Sequence, residues 1–324
     1  MSLIQCFNIA GDDPAAFFKM GQDAAKSVII ICGPTAVGKT AVAIALAQQF
    51  KCSIISADSR QCYKELNIGV ARPSEDELNQ VPHFFIASHS IQDEISAAGF
   101  EQYALNRTRL LHQSNNKVVV VGGTGLYIRA FCEGLDEIPE IDPEIRSKVI
   151  SWYETNGITW LQDELKEKDP AFYKTGEMQN PQRMMRALEV VLGTGKSILH
   201  FQKGQKASRE FNILKIGLEL PREELVKRIN SRADQMMKAG LLEEVRSLLP
   251  DKTLNALQTV GYAELIDHLQ GHCSLENAVE QIKIHTRQYA KRQMTWFKKD
   301  AGISWFHPED LQGMKDWLSS HLSN

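Results

Sequence analysis

The chain has 324 residues, of which 43% are hydrophobic and 24% are charged, and its formal net charge is −3. This composition is typical of a globular protein with a substantial core, and no apolar run approaches the roughly 20 residues of a membrane-spanning helix. The small net charge by itself predicts no nucleic-acid partner, and the N-terminus, with Asp12 and Asp13, lacks the basic start of a secretory signal.

Residues 1–26 precede the first predicted strand, and we treat them as an N-terminal extension without an assigned function. The cysteines are not arranged in C-x-x-C pairs and lie mostly in apolar stretches, which favours buried free thiols over disulfides or zinc ligands. We therefore expect a cytoplasmic protein. The cysteines are Cys6, Cys32, Cys52, Cys62, Cys132 and Cys273.

A phosphate-binding loop follows the first predicted strand. The apolar run Ser27–Cys32 predicts a buried strand, and residues 33–40, GPTAVGKT, match the pattern G-x-x-x-x-G-K-[ST] ahead of a helix-prone segment. The two glycines allow backbone N–H groups to surround an anion, Lys39 adds a positive charge, and the Thr40 hydroxyl is suited to Mg²⁺. The loop predicts binding of a diphosphate or triphosphate and leaves open whether the ligand is a nucleotide.

The next strands predict an α/β fold with a parallel sheet. Apolar segments at 52–57, 118–121 and 214–220 are separated by helical stretches, and ligands of such sheets bind beyond the carboxyl ends of the strands. Asp58 follows one of these strands and is a candidate general base or Mg²⁺ ligand, although an Asp that caps the next turn is a common alternative. Thr124 lies in the Gly-rich segment 122–125, which either approaches a ligand or forms a plain turn.

A helical insertion is predicted at 137–211, within an α/β core formed by 27–136 and 212–324. Helices are expected to start at Asp142-Pro143 and at Asn180-Pro181, because Pro favours the first turn of a helix. On the second helix Arg183 and Arg186 lie one turn apart and suit contacts to RNA phosphates and bases. The intervening methionines, Met184 and Met185, are more often core residues in such a pattern.

After residue 220 the sequence predicts helices only, at 222–239, 241–249, 262–269 and 275–299. On the first of these, Arg228 and Arg232 lie on one face and could clamp phosphates, although an exposed face paired with Glu223 and Glu224 is the favoured alternative. The last helix carries a basic stripe of Lys283, Arg287 and Lys291, beside Arg292 and interleaved with aromatic residues. This stripe fits a polyanion-facing helix and a solvated helix face equally well.

Taken together, six segments resemble one known family. GPTAVGKT, ADSRQCY, VVVVGGTGLYIRA, NPQRMMRALEV, VGYAEL and HTRQYAKRQMTWFK, in this order and spacing, are similar to the bacterial tRNA dimethylallyltransferases, also called tRNA isopentenyltransferases. The resemblance covers about residues 27–300. It implies a P-loop NTPase-like fold and the transfer of a dimethylallyl group from dimethylallyl diphosphate to the N6 amine of the adenosine 3′ to the tRNA anticodon.

The same resemblance assigns roles to particular residues. It implies that the phosphate loop holds the donor diphosphate with Mg²⁺ at Thr40, that Asp58 accepts the N6 proton, and that Arg232 steadies the diphosphate. The diphosphate residues are Gly33, Pro34, Thr35, Ala36, Val37, Gly38, Lys39 and Thr40. The implied contacts to the tRNA anticodon stem-loop are Asp58, Ser59, Arg60, Gln61, Thr124, Arg146, Gln182, Arg183, Met184, Met185, Arg186, Gln258, Thr259, Val260, Gly261, Tyr262 and Ala263.

Two other functions share part of this pattern. A P-loop kinase would use the same loop for ATP and a strand-end Asp, but it needs no basic, aromatic C-terminal helix. A non-enzymatic RNA-binding NTPase would bind ATP or GTP and form no covalent RNA product. We expect a monomer that does not associate with membranes, and the chain ends without the zinc finger that some eukaryotic relatives carry.

Overall fold

The computed structural model describes residues 25–322 and forms two compact units. Unit 1 consists of the residues up to Cys132 and from Arg209 onward, and unit 2 is Glu133–Ser208. These boundaries lie a few residues before the expected 137 and 211. Arg209 belongs to unit 1 because its guanidinium donates to the carbonyls of Ala130 and Phe131, both at 2.8 Å, and pairs with Glu101 at 2.7 Å. Nearly all of the expected extension at 1–26 lies outside the described residues.

Unit 1 is built on a six-stranded sheet in which every pairing is parallel, in the order β3-β2-β4-β1-β5-β6. This confirms the predicted fold class. The central strand β1 pairs along its whole length with both neighbours, so that Val28 lies opposite Val118 and Ile213. The strands are β1 Ser27–Cys32, β2 Ile54–Ser56, β3 His83–Phe84, β4 Lys117–Gly122, β5 Asn212–Leu218 and β6 Ile303–Phe306.

Helices cover both faces of this sheet, which explains why its central strand is apolar without alternation. Every residue of β1 is buried. Successive side chains point to opposite faces, so Val28 and Ile30 join one core cluster while Ile29 and Ile31 join another. The helices of unit 1 are α1 Lys39–Phe50, α2 Glu75–Gln80, α3 Ala97–Leu111, α4 Gly125–Glu133, α8 Arg222–Lys238, α9 Leu241–Ser247, α10 Ala263–Leu269, α11 Leu275–Phe297 and α12 Leu311–Leu322.

Two strands were not predicted, and the expectation that only helices follow residue 220 was wrong. The edge strand β6 pairs with the end of β5, where Ile303 lies opposite Lys215 and Phe306 opposite Leu218. It has four residues, only the first of which is fully buried. The other edge strand, β3, has two residues. Segments this short lack a periodic pattern, so pairing with a neighbour defines them.

Unit 2 has its own core, formed around the helices α5 Pro143–Lys168, α6 Pro170–Thr175 and α7 Pro181–Thr194 and a 3-10 turn at Ile198–His200. Helix α5 is interrupted at Gly157, where φ of +73° and ψ of −169° are not helical. The first and third of these helices begin where the sequence predicted: the Asp142 side chain accepts the Glu144 N–H at 2.9 Å, and the Asn180 side chain accepts the Arg183 N–H at 3.3 Å. Within the described residues of both units, no helix is long and apolar enough to cross a bilayer.

Candidate active site

The phosphate loop connects the central strand β1 to helix α1 and depends on its two glycines. Gly33 has φ +143°, and a Cβ there would stand 2.6 Å from the Leu218 carbonyl oxygen. Gly38 has φ +104° and is the N-cap of α1. Residues other than glycine rarely adopt these backbone angles. The turn that the two glycines allow places the N–H groups of the loop at the positive end of α1. The Lys39 ammonium donates to the Pro34 carbonyl at 2.7 Å, across the loop.

Gln293, a residue that the sequence did not single out, anchors this loop to α11. Its Oε1 accepts the Thr35 N–H at 2.8 Å, and its Nε2 donates to the Gly123 carbonyl at 2.9 Å. The side chain is only 6% exposed. It shares the buried stripe of α11 with Ala290 and Phe297. The signal in the sequence is a glutamine side chain at a position where the helical repeat otherwise places buried apolar residues.

Two cations converge beside the phosphate loop. Burial lowers the pKa of Lys39 to about 8, with the Asp58 carboxylate acting against this effect and the nearby Arg232 adding to it. Burial also lowers the pKa of Arg232, and Asp58 again acts in the opposite direction. Both cations are therefore placed in a poorly solvated region, where they would interact strongly with an anionic ligand.

Asp58 is held at the carboxyl end of β2 by the turn that follows it. Its Oδ1 accepts the N–H groups of Arg60 at 2.9 Å and Gln61 at 3.2 Å. One carboxylate oxygen of Asp58 therefore caps the following turn, as the alternative interpretation of this residue predicted. Oδ2 has no hydrogen bond to the described part of the chain, and the residue lines a cavity. The turn orients the carboxylate without consuming both of its oxygens, which suits a proton acceptor.

Thr124 and Tyr289 surround the same turn. The Thr124 hydroxyl accepts the Ser59 N–H at 3.1 Å and lies 3.3 Å from the Ser59 hydroxyl. Tyr289 of α11 lines the same cavity as Asp58, and burial, together with the Asp58 charge, raises the pKa of its phenol to about 12. Tyr289 is therefore a neutral hydrogen-bonding group near Asp58, and the structure places Thr124 where it supports this turn.

A cavity of about 360 Å³ opens between these elements. One part of its wall is polar and includes Thr35, Asp58 and Arg232, whereas Ile229, Met236 and Ile282 belong to an apolar part. A mixed lining of this kind suits a ligand with an anionic group and a hydrocarbon group. The lining residues are Thr35, Asp58, Ser59, Arg60, Gly69, Val70, Ala71, Ile229, Arg232, Ala233, Met236, Gln258, Thr259, Val260, Gly261, Ile282, Thr286, Tyr289 and Arg292.

The structure distinguishes between the two arginines of α8. Arg232 lines the cavity. Arg228 pairs with Glu224 at 2.7 Å, as the salt-bridge alternative expected, while another of its nitrogens lies 3.5 Å from the Val37 carbonyl oxygen of the phosphate loop. Arg232 is therefore the better placed of the two to reach a ligand inside the cavity.

The expected RNA contacts in unit 1 have different environments. Ser59 and Arg60 line the cavity, as do the four residues 258–261. The Gln61 amide instead donates to the carbonyls of Val70 and Ala71, at 3.2 and 3.0 Å. Tyr262 is fully buried, so its side chain packs inside the protein instead of meeting RNA at the surface. Ala263, the first residue of α10, is partly buried and is absent from the cavity wall.

The expected RNA contacts in unit 2 include two core residues. Met184 is 0% and Met185 6% exposed, within the core cluster of this unit. Side chains packed against apolar neighbours are not exposed at the surface, and the expectation that 182–186 contacts tRNA stays a prediction. Arg183 pairs with the exposed Glu177 at 2.7 Å. Arg186 and Arg146 approach the buried Glu189 at 3.1 and 3.9 Å, and Gln182 is exposed.

The basic stripe of α11 is divided between packing and exposure. Lys283 pairs with Asp234 at 2.6 Å, and Arg287 donates to the Asn230 side chain at 2.9 Å, so both face α8. Lys291 and Arg292 are exposed, and Arg292 reaches the cavity. The part of the stripe that remains open to a polyanion is therefore its C-terminal part.

Four of the described cysteines, Cys32, Cys52, Cys62 and Cys132, are buried and Cys273 is partly buried, while Cys6 lies outside the described residues. Burial raises the pKa of Cys32 and Cys62 to about 12, which keeps both protonated. No group of three or more His, Cys, Asp or Glu side chains arranged for a metal ion occurs in residues 25–322. The Thr40 hydroxyl and the Asp58 carboxylate are hard oxygen donors, and Mg²⁺ at a phosphate site needs only one or two of these beside the phosphate oxygens.

Comparison with protein families and curated proteins gives a consistent result. Residues 61–300 match the model of the IPP transferase family. The chain is 45% identical to tRNA dimethylallyltransferase 1 of Bacteroides fragilis over 298 residues, which cover 92% of this chain and 99% of the relative. It is 47% identical to the tRNA dimethylallyltransferase of Flavobacterium johnsoniae over 287 residues, covering 87% and 93%.

Solved structures are similar over most of the chain. The full-length tRNA isopentenylpyrophosphate transferase of Bacillus halodurans matches with a TM-score of 0.68 and 32% identity, covering 92% of this chain and 97% of that chain. A eukaryotic dimethylallyltransferase described as acting on tRNA matches with a TM-score of 0.69 and 27% identity, covering 84% and 70%.

Proposed function

The chain belongs to the IPP transferase family, and from that premise we propose the reaction it catalyses. It is a tRNA dimethylallyltransferase, which transfers the dimethylallyl group of dimethylallyl diphosphate to the N6 amine of the adenosine 3′ to the anticodon and releases diphosphate. The observation that carries this proposal is the single cavity wall shared by Thr35 of the phosphate loop, Arg232 and Asp58. It combines anion-binding groups with a proton acceptor.

The leaving group is accommodated by the phosphate loop. An allylic C–O bond breaks readily once the departing diphosphate is neutralised, and Lys39, Arg232 and the loop N–H groups supply positive charge in a poorly solvated site. Mg²⁺ held through the Thr40 hydroxyl would supply further charge neutralisation on the diphosphate. The apolar lining, including Ile229, Met236 and Ile282, supports a hydrocarbon rather than a second phosphate chain beside it.

Asp58 is the proposed general base that accepts the N6 proton of the adenosine. As the new C–N bond forms and the C–O bond breaks, the N6 amine becomes acidic and its proton passes to Asp58, while the bonding electrons of the C–O bond leave with the diphosphate. The hydrogen bonds that the backbone N–H groups of Arg60 and Gln61 donate to Oδ1 keep the carboxylate oriented for this transfer. An adenine inside the cavity has to leave the stacked anticodon loop, which single-stranded RNA permits at low cost.

We also propose where and how the enzyme works. Its tRNA-modifying relatives are bacterial, which supports action in the cytoplasm. We propose that it acts as a monomer. The exposed Arg183 and the partly buried Arg186 of unit 2, with the exposed Arg292 of unit 1, are proposed phosphate contacts of the tRNA.

Nucleoside mass measurement tests the reaction directly. Wild-type protein incubated with tRNA and dimethylallyl diphosphate should yield an adenosine that is heavier by one dimethylallyl group in place of a hydrogen. Asp58→Asn keeps the shape of the side chain but cannot accept the proton, so kcat should fall by roughly 10²–10⁴-fold. The affinity of this variant for the donor should stay close to that of the wild type.

The alternative functions give different results in the same assay. The relatives reported above are named tRNA dimethylallyltransferases and give no support to a kinase. ATP consumption with no prenylated nucleoside would favour a kinase or an NTPase instead. Full turnover by Asp58→Asn would remove Asp58 from the mechanism and leave the proposed reaction intact.

A further inference from the structure

Two segments that are far apart in the sequence share one side of the cavity wall. Residues 67–71 contribute Gly69, Val70 and Ala71, and residues 258–261 contribute all four of their members. Neither segment belongs to a regular helix or strand of more than three residues. Loops of this kind adopt one conformation only when other groups bind their backbone.

The Glu244 carboxylate of α9 binds the backbone of the first segment. It accepts the N–H groups of Asn67 at 3.4 Å, Ile68 at 2.8 Å and Gly69 at 3.1 Å. It also accepts the Tyr262 hydroxyl at 2.6 Å. Four donors therefore meet on one carboxylate, which is absent from the cavity wall.

Tyr262 connects this carboxylate to the second segment. It directly follows Gly261 and is 0% exposed. Burial and the Glu244 charge raise the pKa of its phenol well above the usual range, so the hydroxyl remains a donor. The ring packs so closely on Gly69 that a Cβ there would lie 2.5–2.8 Å from its atoms. Tyr262 therefore contacts the first segment while it is covalently joined to the last residue of the second.

A second carboxylate fixes the other side of the 258–261 segment. Gly261 has φ +98°, and its N–H donates to Glu264 at 2.8 Å. Glu264 is 6% exposed, and its other oxygen lies 2.6 Å from His285 Nδ1 on α11. The segment is thus held through the Gly261 N–H and, at the next residue along the chain, through the Tyr262 side chain.

We propose that Glu244 and Tyr262 are positioning residues that hold the 67–71 and 258–261 segments together as the acceptor side of the cavity. Neither residue touches the reacting groups. Their hydrogen bond sets the distance between two walls that would receive the tRNA adenosine. The inference rests on the proposed function where it is tested by KM for tRNA. Hydrogen exchange at the backbone amides tests it without any activity.

The Tyr262→Phe variant removes the hydroxyl and keeps the ring. A hydrogen bond to a charged partner is worth enough to change an equilibrium constant by roughly tenfold or more, so we expect KM for tRNA to rise about tenfold. The affinity for inorganic diphosphate should change less than about twofold, because the phosphate loop is outside this network. A general loss of stability would weaken both.

Tyr127→Phe is the matched control. Tyr127 is also buried in unit 1 and donates its hydroxyl to a carbonyl, that of Ile95 at 3.3 Å, but it does not line the cavity. We expect this variant to leave both KM for tRNA and diphosphate affinity unchanged. If Tyr262→Phe has no larger effect on KM for tRNA than Tyr127→Phe, the positioning role is wrong.

Hydrogen exchange gives the readout that requires no activity. The Ile68 and Gly69 amides should exchange faster in Tyr262→Phe than in wild-type protein, and faster again in Glu244→Gln, since the amide side chain offers one acceptor oxygen in place of two. Unchanged exchange at these amides would contradict the inference. If the wild type transfers no dimethylallyl group, the proposed function fails, while exchange and tRNA-binding affinity still decide whether this network holds the wall.

Discussion

Lys39 shows how the fold changes the chemistry of a motif residue. The loop pattern requires a lysine, but the pattern does not determine its pKa. Burial lowers that pKa to about 8, and Arg232 adds to this effect by like-charge repulsion. At a pH near this value only about half of the Lys39 side chains carry a positive charge in the free protein, and the fraction falls as the pH rises further.

This shift predicts pH-dependent donor binding. Diphosphate affinity should be highest below about pH 7 and should fall as pH rises through about 8, because Lys39 loses its positive charge over that interval. Isothermal titration calorimetry with inorganic diphosphate at a series of pH values measures the effect. Lys39→Ala is the control, because any pH dependence left in that variant belongs to the ligand. Identical pH profiles for the two proteins would contradict the assignment.

At the scale of elements, α11 does more than its basic composition suggested. Two of its cations are used against α8. Its buried side contributes Tyr289 near Asp58 and Gln293 between the phosphate loop and the loop after β4. The helix therefore acts mainly as a wall that fixes both loops, and only its exposed C-terminal cations remain for an anionic partner.

Replacement of Gln293 by Leu tests this role of α11. The Thr35 N–H and the Gly123 carbonyl would lose their partner in a buried place, at a cost of about 1–3 kcal/mol in the free energy of unfolding. Because the phosphate loop loses its tether, diphosphate affinity should fall about tenfold. Gln312→Leu is the control, since Gln312 is exposed on α12 and bonds only to Asp316. A destabilised Gln293→Leu variant with wild-type diphosphate affinity would show that the tether serves stability alone.

At the scale of the whole molecule, the C-terminal residues complete the sheet of unit 1. Strand β6 extends the sheet beside β5, and α12 covers one face of it, where Met314 and Leu318 are both 0% exposed. They share a core cluster with Ile29 and Ile31 of the central strand. These residues lie beyond the part of the chain that matches the family model, which ends at 300.

Truncation of the Leu318 side chain measures this contribution. Leu318→Ala should lower the free energy of unfolding by about 2–5 kcal/mol, because the mutation leaves a cavity in a closed cluster. The exposed neighbour Ser319→Ala should change it by less than about 0.5 kcal/mol. Urea unfolding measures both values. Transfer activity per folded molecule should be unchanged, since Leu318 is absent from the cavity wall. If Leu318→Ala and Ser319→Ala are equally stable, the role of α12 in the core is wrong.

The sequence by itself determined the features that are encoded over short stretches. The phosphate loop, the buried central strand, the Asp at the end of β2 and the helix starts at Pro143 and Pro181 follow from backbone preferences of neighbouring residues. The order of six such segments was sufficient to indicate the family. The missed edge strands concern segments with little local pattern.

Only the tertiary structure decided which side chains meet. Gln293 reaches the phosphate loop across 258 positions of sequence, and Tyr262 joins a wall segment through Glu244. Arg232 reaches the cavity while Arg228 pairs with Glu224, and Met184 and Met185 enter a core. These outcomes depend on packing between distant segments, because burial and partner geometry are properties of the assembled surfaces and not of local spacing.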